Sequence, residues 1–387
     1  MGLLMKFSQL FSKKIEDNTL RQGAETKLNL ASQWQLTWWR FRKHKLALFS
    51  TILVFFIYLI GFTAEFFAPF SPLFKISKLS YAPPQTLNFF EWTDDGLKFD
   101  IFVYDYKFKI DTLALKRTFS IDKNKKIEIS FFVKGKAYRL FGFIPWDRHF
   151  FGPVNPKSPM FLFGADRMGR DLLSRMIYGT RVSMTIGLIG VFLSLVLGLI
   201  LGGLSGYYGG TTDLIIQRIM EILRSMPTIP LWMGLAAAIP QFWSPELVYF
   251  MITIILSVIG WTWLAQAVRG KFYSLKTEDF VIAAKLDGCS EFQVIFYHMI
   301  PSFMSHIIAT LTLAIPQMII AETALSFLGI GLRPPVVSWG VLLREAQNVR
   351  VLVTSPWLFL PGLAVIIAVL SLNFMGDGIR DAADPYK

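Results

Sequence analysis

The most informative spacing of residue types lies in a polar stretch, residues 277–301, between two long apolar segments. Thr277 can cap a first helix, and Gly288 is placed to end it, because glycine adopts the left-handed conformation at a helix end at little cost. Ser290 and Gln293 stand three residues apart, which predicts a capping box for a second helix. The stretch therefore predicts an elbow of two short helices.

The chemistry that this elbow offers is recognition of another protein surface. Ala283, Ala284 and Gly288 are small and lie on nearly one side of the first helix, so a partner can approach the backbone closely there. Glu278 lies in the positive first turn, and Pro301 marks the start of the next element. Two short helices alone are also compatible with a loop that has no partner.

The sequence EDFVIAAKLDG, followed by IFYHMIP, resembles the cytoplasmic EAA loop of binding-protein-dependent ABC importers. In that family the loop sits in a groove of the ATPase, so the resemblance implies that the elbow couples a pore to ATP hydrolysis. The positions that it assigns to this role are Glu278, Ala283, Ala284, Asp287, Gly288, Ile295 and Pro301.

Composition places the chain among membrane proteins. Of its 387 residues, 53% are hydrophobic and 17% are charged, which is too apolar for a soluble domain of this length. The formal net charge of +12 would suit a nucleic-acid partner. The basic excess, however, lies beside the first apolar segment and in one polar insert, without an aromatic RNA-binding signature. Orientation in a membrane explains it better, and no nucleic acid is expected.

Residue types for covalent or metal chemistry are sparse. Cys289 is the single cysteine, so no internal disulfide can form, and the four histidines, at positions 44, 149, 298 and 306, lack metal-ligand spacing. Neither GxxxxGKS nor GxxxxGKT occurs, so the chain has no recognisable loop for ATP phosphates. We therefore expect no cofactor, no metal and no catalytic residue in this chain, and any ATPase must be a partner.

The N-terminal region predicts the orientation of the chain. Residues 1–45 form a basic interfacial segment, with nine Lys and Arg against three acids in the first 46 residues. A first transmembrane helix is expected over residues 46–68, because residues 46–64 are uncharged and approach the roughly 20 residues that a bilayer core requires. Basic segments remain inside, so the N-terminus is predicted to be cytoplasmic.

Residues 69–163 predict a small β-rich insert on the extracytoplasmic side. Apolar and polar residues alternate over residues 97–103 and again over residues 127–133, which is typical of strands. Residues 134–135 can turn the second strand back. Two roles stay open for the insert: a spacer packed on the membrane domain, or a docking surface for a binding protein.

Residues 164–181 predict an amphipathic helix at the outer interface. This block resembles the one that precedes the second span in dipeptide and oligopeptide permeases, and Arg170, Asp171 and Arg181 match the family pattern. We interpret these three residues as part of an outer gate or a structural clamp.

Glu322 is predicted near the outer end of the fifth span, where an ionisable group is costly unless it is paired or hydrated. It is therefore a candidate functional residue. A structural explanation is favoured, in which Glu322 bonds an arginine such as Arg333 or Arg181 and acts as a clamp at the outer gate.

Residues 182–380 predict the remaining five-helix permease core. The expected spans are residues 182–212, 225–245, 247–268, 302–321 and 351–376. Gly198, Gly202 and Gly206 form a row of small residues that predicts a close helix crossing. The predicted fold is an all-α polytopic membrane protein with six transmembrane helices, a small β-rich extracytoplasmic insert after the first helix, and both termini in the cytoplasm.

The resemblances together imply one permease subunit of a dipeptide or oligopeptide ABC importer in a bacterial or archaeal plasma membrane. The implied partners are a second permease subunit, two cytoplasmic ATP-binding subunits and an extracytoplasmic substrate-binding protein. Oligosaccharide or nickel cargo stays open within this class. An ion-coupled secondary transporter is the alternative from another class, although such proteins usually place ionisable groups or broken helices at mid-membrane.

Overall fold

The computed structural model describes residues 33–93, 96–111, 116–240 and 242–383. The helices are α1 (Gln33–Lys43), α2 (Lys45–Phe62), α3 (Ala64–Phe67), α4 (Leu172–Tyr208), α5 (Gly210–Ser225), α6 (Thr228–Ala237), α7 (Pro245–Leu275), α8 (Asp279–Leu286), α9 (Glu291–Gln293), α10 (Ile300–Ser302), α11 (Met304–Phe327), α12 (Trp339–Leu343), α13 (Val349–Thr354) and α14 (Leu360–Ala383). The strands are β1 (Asn88–Thr93), β2 (Gly96–Asp111), β3 (Lys116–Leu140) and β4 (Ile144–Pro153). The basic segment predicted at the N-terminus falls mostly on residues 1–32, outside the described residues.

Within the described part of the chain, five helices are long and apolar enough to cross a membrane. They are Lys45–Phe62, Leu172–Tyr208, Pro245–Leu275, Met304–Phe327 and Pro356–Ala383, the last of which adds a 3-10 turn to α14. The shortest has 18 residues, which at about 1.5 Å per residue rises about 27 Å and approaches the ~30 Å of a bilayer core.

The third span predicted over residues 225–245 is not one continuous helix. Only α6 lies there, and its 10 residues rise about 15 Å, half of a bilayer core. The chain breaks between α5 and α6, where Met226 is extended and Pro227 precedes the first residue of α6. Proline has no N–H to continue a helix, which explains the break.

The separate amphipathic helix predicted over residues 164–181 is wrong. Residues 164–171 form a turn closed by a bridge between Ala165 and Asp171. Helix α4 begins at Leu172 because the Asp171 carboxylate caps it, accepting the backbone N–H of Ser174 at 2.7 Å. The helix then continues unbroken for 37 residues, about 55 Å.

The glycine row of α4 lies directly against α7. A Cβ added at Gly202 would lie 2.5 Å from the carbonyl oxygen of Ala265, and one added at Gly206 would lie 2.6 Å from that of Arg269. Gly198 faces the Leu264 side chain in the same way. The two backbones approach so closely here that only glycine fits, as is common in membrane helix pairs.

The core of the helical bundle lies where α4, α7 and α11 meet. Ile186, Ile252 and Leu325 are almost fully buried in one cluster there. A second cluster joins α2 and α14 to the same bundle through Val54 and Leu372. The outward faces of these helices remain apolar, as expected for surfaces that meet lipid.

The polar insert contains an antiparallel sheet of four strands in the order β1-β2-β3-β4. The alternating runs at residues 97–103 and 127–133 lie in β2 and β3. The turn predicted at residues 134–135 is wrong, because β3 continues to Leu140 and the chain turns only before β4. A small core that includes Phe70 and Met160 joins the sheet to the chain on either side of it.

The two ends of the bundle are chemically distinct. One end, which we call the sheet face, carries the sheet and the turn at residues 164–171, and Trp357 binds the Ala165 carbonyl there at 3.1 Å. The other end, called the elbow face, carries residues 277–301. The last turn of α14 lies at that end too, because Gly378 packs on Phe41 and Ala47 at the start of the described chain.

Candidate functional site

The elbow at residues 277–301 begins with α8, whose C-terminal end is closed by backbone hydrogen bonds. Gly288 has a φ of +81°, and its N–H donates to the Lys285 carbonyl at 3.1 Å. The Cys289 N–H donates to the Ala284 carbonyl at 3.1 Å. These two bonds form a Schellman motif, which explains why glycine occupies this position.

The start of α8 differs from the sequence prediction. Glu278, not Thr277, is the N-cap residue, and its side chain makes no capping hydrogen bond. The Thr277 hydroxyl donates instead to the Ser274 carbonyl at 3.1 Å. Thr277 therefore bonds to the last turn of α7, which ends at Leu275, and does not cap α8.

The second helix of the elbow begins with the predicted capping box and then widens. Ser290 accepts the Gln293 N–H, and the Gln293 side chain accepts the Ser290 N–H at 2.8 Å. A π-helical stretch, Val294–Met299, follows and leads into α10. Pro301 lies inside α10, and the helix breaks only at Phe303, so the boundary predicted at Pro301 is wrong.

The small-residue side predicted for α8 is divided between core and surface. Ala284 is buried with Val281 in a cluster that includes Phe272 of α7. Ala283 and Gly288 are exposed, and a Cβ added at Gly288 would meet no atom within 4 Å. Ala284 therefore holds the elbow on the bundle, and only Ala283 and Gly288 remain free to meet a partner.

A larger apolar surface lies on the exposed side of the elbow. We define this elbow surface by Phe280, Leu286, Phe292, Phe296 and Tyr297, which are 41%, 83%, 63%, 51% and 72% exposed. The rings of Phe292 and Phe296 stack with their centroids 4.3 Å apart. Leu286 and Tyr297 were not predicted to have a role. Phe292 and Phe296 stand four positions apart in the sequence, which is typical of one apolar helical face.

The elbow is attached to the end of α4 by two polar contacts. The Tyr208 hydroxyl donates to the Glu291 carboxylate at 2.7 Å. The Lys285 ammonium lies 5.0 Å from the centre of the Tyr207 ring, a cation–π contact. Both halves of the elbow are therefore linked to the longest membrane helix.

On the sheet face, Arg170 joins two loops. Its Nε donates to the buried Asp166 carboxylate at 2.6 Å, and its guanidinium reaches Glu345 at 4.0 Å. Arg175 also binds Asp166. Burial raises the pKa of Glu345, and the neighbouring negative charge of Asp166 raises it further. Arg170 therefore connects the turn before α4 to the loop between α12 and α13.

Asp171 has a local role at the start of α4. Its carboxylate accepts both the N–H and the hydroxyl of Ser174, at 2.7 and 2.6 Å. Burial raises the pKa of Asp171 to about 7, in spite of these hydrogen bonds. The Ser174 hydroxyl in turn accepts the Phe70 N–H at 3.0 Å, which links this cap to the insert.

Arg181 lies at the junction of α2 and α4. It binds the Glu65 carboxylate at 2.6 Å through one terminal nitrogen, and its Nε donates to the Gly61 carbonyl at 2.9 Å. The Phe62 carbonyl accepts a further hydrogen bond at 2.9 Å. Arg181 therefore fastens the end of α2 to α4 and is not directed at Glu322.

The partners of Glu322 are hydroxyl groups. Ser326 and Ser338 donate to one carboxylate oxygen at 2.7 and 2.8 Å, and Ser183 lies 3.3 Å from the other. The residue is completely buried. The predicted pairing with an arginine is wrong, because Arg333 lines a cavity between α6 and α7 and three serines from separate elements satisfy Glu322 instead.

The residues assigned to an outer gate thus belong to separate networks. Arg170 and Asp171 hold the turn before α4, Arg181 holds α2, and Glu322 holds the loop after α11. Among the described residues, no group of three or more His, Cys, Asp or Glu side chains is arranged to hold a metal ion.

A family described as the binding-protein-dependent transport system inner membrane component matches residues 182–386. The chain belongs to this family. A second match, described as the N-terminal transmembrane domain of oligopeptide transport permease C, covers residues 32–84. The two matches together cover the elbow and the first membrane helix, which confirms the resemblance seen in the sequence.

Two named relatives are peptide permeases. The oligopeptide transport system permease protein OppC of Haemophilus influenzae is 40% identical over 225 residues, which cover 58% of this chain and 70% of that protein. The dipeptide transport system permease protein DppC of Bacillus subtilis is 34% identical over 232 residues, which cover 59% and 70%. Among solved structures, the inward-facing MetNI methionine ABC transporter is similar at 16% identity, with a TM-score of 0.42 over 54% of this chain and 96% of the matched chain.

The two matched regions do not include all of the residues described above. The elbow and Glu322 lie within residues 182–386. The four-stranded sheet lies between the two matched regions, as do Arg170 and Asp171. The family matches therefore carry no information about the role of the sheet.

Proposed function

We propose that this chain is one permease subunit of an ATP-driven importer that carries peptides across a bacterial or archaeal plasma membrane. The observation that carries the proposal is the family match over residues 182–386, which includes the elbow. Peptide cargo is supported by the identity of 34 to 40% with relatives named as oligopeptide and dipeptide permeases. Its partners are a second permease subunit, two cytoplasmic ATP-binding subunits and an extracytoplasmic binding protein.

Six crossings require that α5 and α6 together cross the membrane as one broken segment. Their 16 and 10 residues rise about 39 Å, enough for a bilayer core of ~30 Å. They run along the whole of α7: Asp213 binds Arg269 at 2.6 Å near the elbow face, and Ala236 packs in the cluster of Ile252 towards the other end. A break at Pro227 is tolerated in a membrane when neighbouring helices cover it. Residues 225–230 are exposed in this chain, so the second permease subunit must cover them.

With six crossings and a cytoplasmic N-terminus, the elbow face lies in the cytoplasm and the sheet face lies outside. The described ends of α1 and α14 both belong to the elbow face, which supports cytoplasmic termini. The basic N-terminal residues agree with this orientation.

The elbow surface docks in this arrangement on an ATP-binding subunit. Its five apolar side chains are exposed, which a cytoplasmic loop retains only at a cost unless a partner covers them. The contacts of Tyr208 and Lys285 then pass a movement of the docked elbow to α4. Because α4 packs tightly on α7, the two helices move together and switch the pore between its inward-open and outward-open states.

Leu286→Glu tests the docking role, because Leu286 is 83% exposed and a fold that does not bury it tolerates the charge. Burial of an unpaired charge costs several kcal/mol, so we expect at least a roughly tenfold loss of ATP-binding subunit that copurifies with the tagged permease. Substrate-stimulated ATP hydrolysis and uptake should fall together.

Val353→Glu is the matched control, because Val353 is 79% exposed on α13, away from the elbow. This variant should retain the ATP-binding subunit. Parental copurification and transport with Leu286→Glu would refute the docking role. Uptake of labelled peptides, compared with nickel and an oligosaccharide, decides the cargo in the same preparation.

A further inference from the structure

The hairpin formed by β3 and β4 has an unusually apolar end. Residues 140–146 read LFGFIPW, and we call residues 141–146 the aromatic tip. Phe141, Phe143 and Trp146 are 52%, 72% and 46% exposed. Hairpin turns that face water are normally built from Gly, Asn, Asp, Ser and Pro, so this tip is exposed at a substantial cost if it meets only water.

The root and the middle of the hairpin lie along the chain that leaves α2. At the root, Phe151 packs on the core that contains Phe70. Nearer the tip, the Phe150 ring lies 5.3 Å from the Phe67 ring and 5.8 Å from the Phe66 ring. The hairpin therefore descends beside the connecting chain, from residue 70 towards residue 66.

Tyr138 extends this alignment to the end of α2. Burial, and less strongly the negative charge of Glu65 nearby, raises the pKa of the Tyr138 phenol to about 12. Glu65 is itself held by Arg181 beside the Phe62 carbonyl, at the last residue of α2. Each step towards the tip therefore approaches the membrane helix, and the tip points at the bilayer.

The distance fits the depth of the lipid interface. Strand β3 ends at Leu140, two residues beyond Tyr138, and residues 141–143 form the turn, so at about 3.3 Å per strand residue the turn lies ~7–10 Å further along. The headgroup layer on each side of a bilayer is ~5–8 Å thick. Glu65 and Arg181 are charged and belong at the headgroup level, so the tip reaches the boundary with the acyl chains.

The charges beside the tip match an anionic lipid surface. Residues 134–148 contain four basic side chains, Lys134, Lys136, Arg139 and Arg148, against one acid, Asp147. Aromatic rings next to Lys and Arg are typical of segments that lie in the interface of a membrane.

We propose that the aromatic tip inserts into the membrane leaflet in which α2 ends, with lipid as its partner. Phe141, Phe143 and Trp146 occupy the boundary between headgroups and acyl chains, and the basic side chains bind lipid phosphates. The sheet is then held at both ends, by α3 and by the bilayer. This inference depends on α2 being a membrane helix and not on transport or on the orientation of the chain.

A depth measurement tests the proposal on the full-length chain. In a Cys289→Ser background, Phe143→Cys carries an environment-sensitive fluorophore, and the chain is placed in nanodiscs of phosphatidylcholine and phosphatidylglycerol. Lipids with a nitroxide high on the acyl chain should quench most of the emission, whereas aqueous iodide should quench little. Ser130→Cys, exposed near the root of the same hairpin, is the control and should show the opposite pattern.

Two results would overturn the proposal. One is iodide quenching at position 143 equal to that at position 130, with no effect of the nitroxide lipid. The other is protection from iodide only after a substrate-binding protein is added, again without lipid quenching, which would identify the tip as a protein-docking surface. Phe141→Cys repeats the measurement, so a folding defect of one variant does not decide the outcome.

Discussion

At the scale of single residues, Glu322 shows how a buried carboxyl group is satisfied by hydroxyl groups. The serine hydroxyls around it are already acceptors: Ser183 accepts the Trp339 N–H at 3.1 Å, and Ser326 accepts the Leu332 N–H at 3.0 Å. Their hydrogens therefore point at the carboxylate. Glu322 thus fixes the loop after α11 onto α4.

Glu322→Gln should lower stability although the two side chains have the same shape. The amide replaces one acceptor with a donor, so a hydroxyl hydrogen or an amide hydrogen remains without a partner, at a cost of about 1–3 kcal/mol. The apparent melting temperature of the purified complex measures the effect. Glu246→Gln, an exposed site at the start of α7, should leave it unchanged. An unaltered melting temperature for Glu322→Gln would show that the serine hydroxyls do not all donate to this carboxylate.

At the scale of elements, the contact between α4 and α7 depends on residues without side chains. The Cβ positions of Gly202 and Gly206 are occupied by backbone atoms of α7, which cannot move aside without separating the helices. Contacts of this kind replace the hydrophobic effect, which gives no driving force between helices surrounded by lipid.

Gly202→Ala should therefore destabilise the pair, because its new methyl would lie 2.5 Å from the Ala265 carbonyl oxygen. Overpacking of this kind costs about 1–3 kcal/mol, and Gly202→Leu should cost more. Gly270→Ala in α7 is the control, since its Cβ would meet nothing within 4 Å and alanine favours a helix by up to ~1 kcal/mol. Equal yields and melting temperatures for the Gly202 and Gly270 variants would contradict the close crossing.

The sequence predicts a structural feature correctly where its formation depends on residues that are close together in the chain. The capping box at Ser290 and the helix end at Gly288 form as predicted, since each depends on residues close in the chain. The errors have two different causes. Arg181 bonds to Glu65, 116 positions away, a tertiary partner that spacing alone cannot identify. Asp171 caps its helix through Ser174, three residues on, a local signal that was missed because the charge pattern suggested an earlier helix start.

At the scale of the whole molecule, the two faces of the bundle are built from different parts of the chain. The elbow face carries five exposed apolar side chains, and the sheet face carries the four-stranded sheet, which packs on the chain on either side of it. The family match covers the first of these faces and leaves most of the second outside it. The role proposed for the elbow face therefore rests on the family match, whereas the role proposed for the sheet rests on its own geometry.

Labelling with an impermeant thiol reagent tests the number of membrane crossings, because it shows which side of the membrane each labelled position faces. If α5 and α6 cross together, Phe242, which is 87% exposed between α6 and α7, lies outside, whereas Leu286 lies in the cytoplasm. In a Cys289→Ser background, Phe242→Cys should react with an impermeant maleimide in intact spheroplasts, and Leu286→Cys should react only after lysis. If position 242 is protected until lysis, α5 and α6 do not cross together. Because Tyr208 at the end of α4 contacts the elbow, the elbow lies on the side where α4 ends, so labelling of Leu286→Cys in intact spheroplasts would refute both the topology and the docking role.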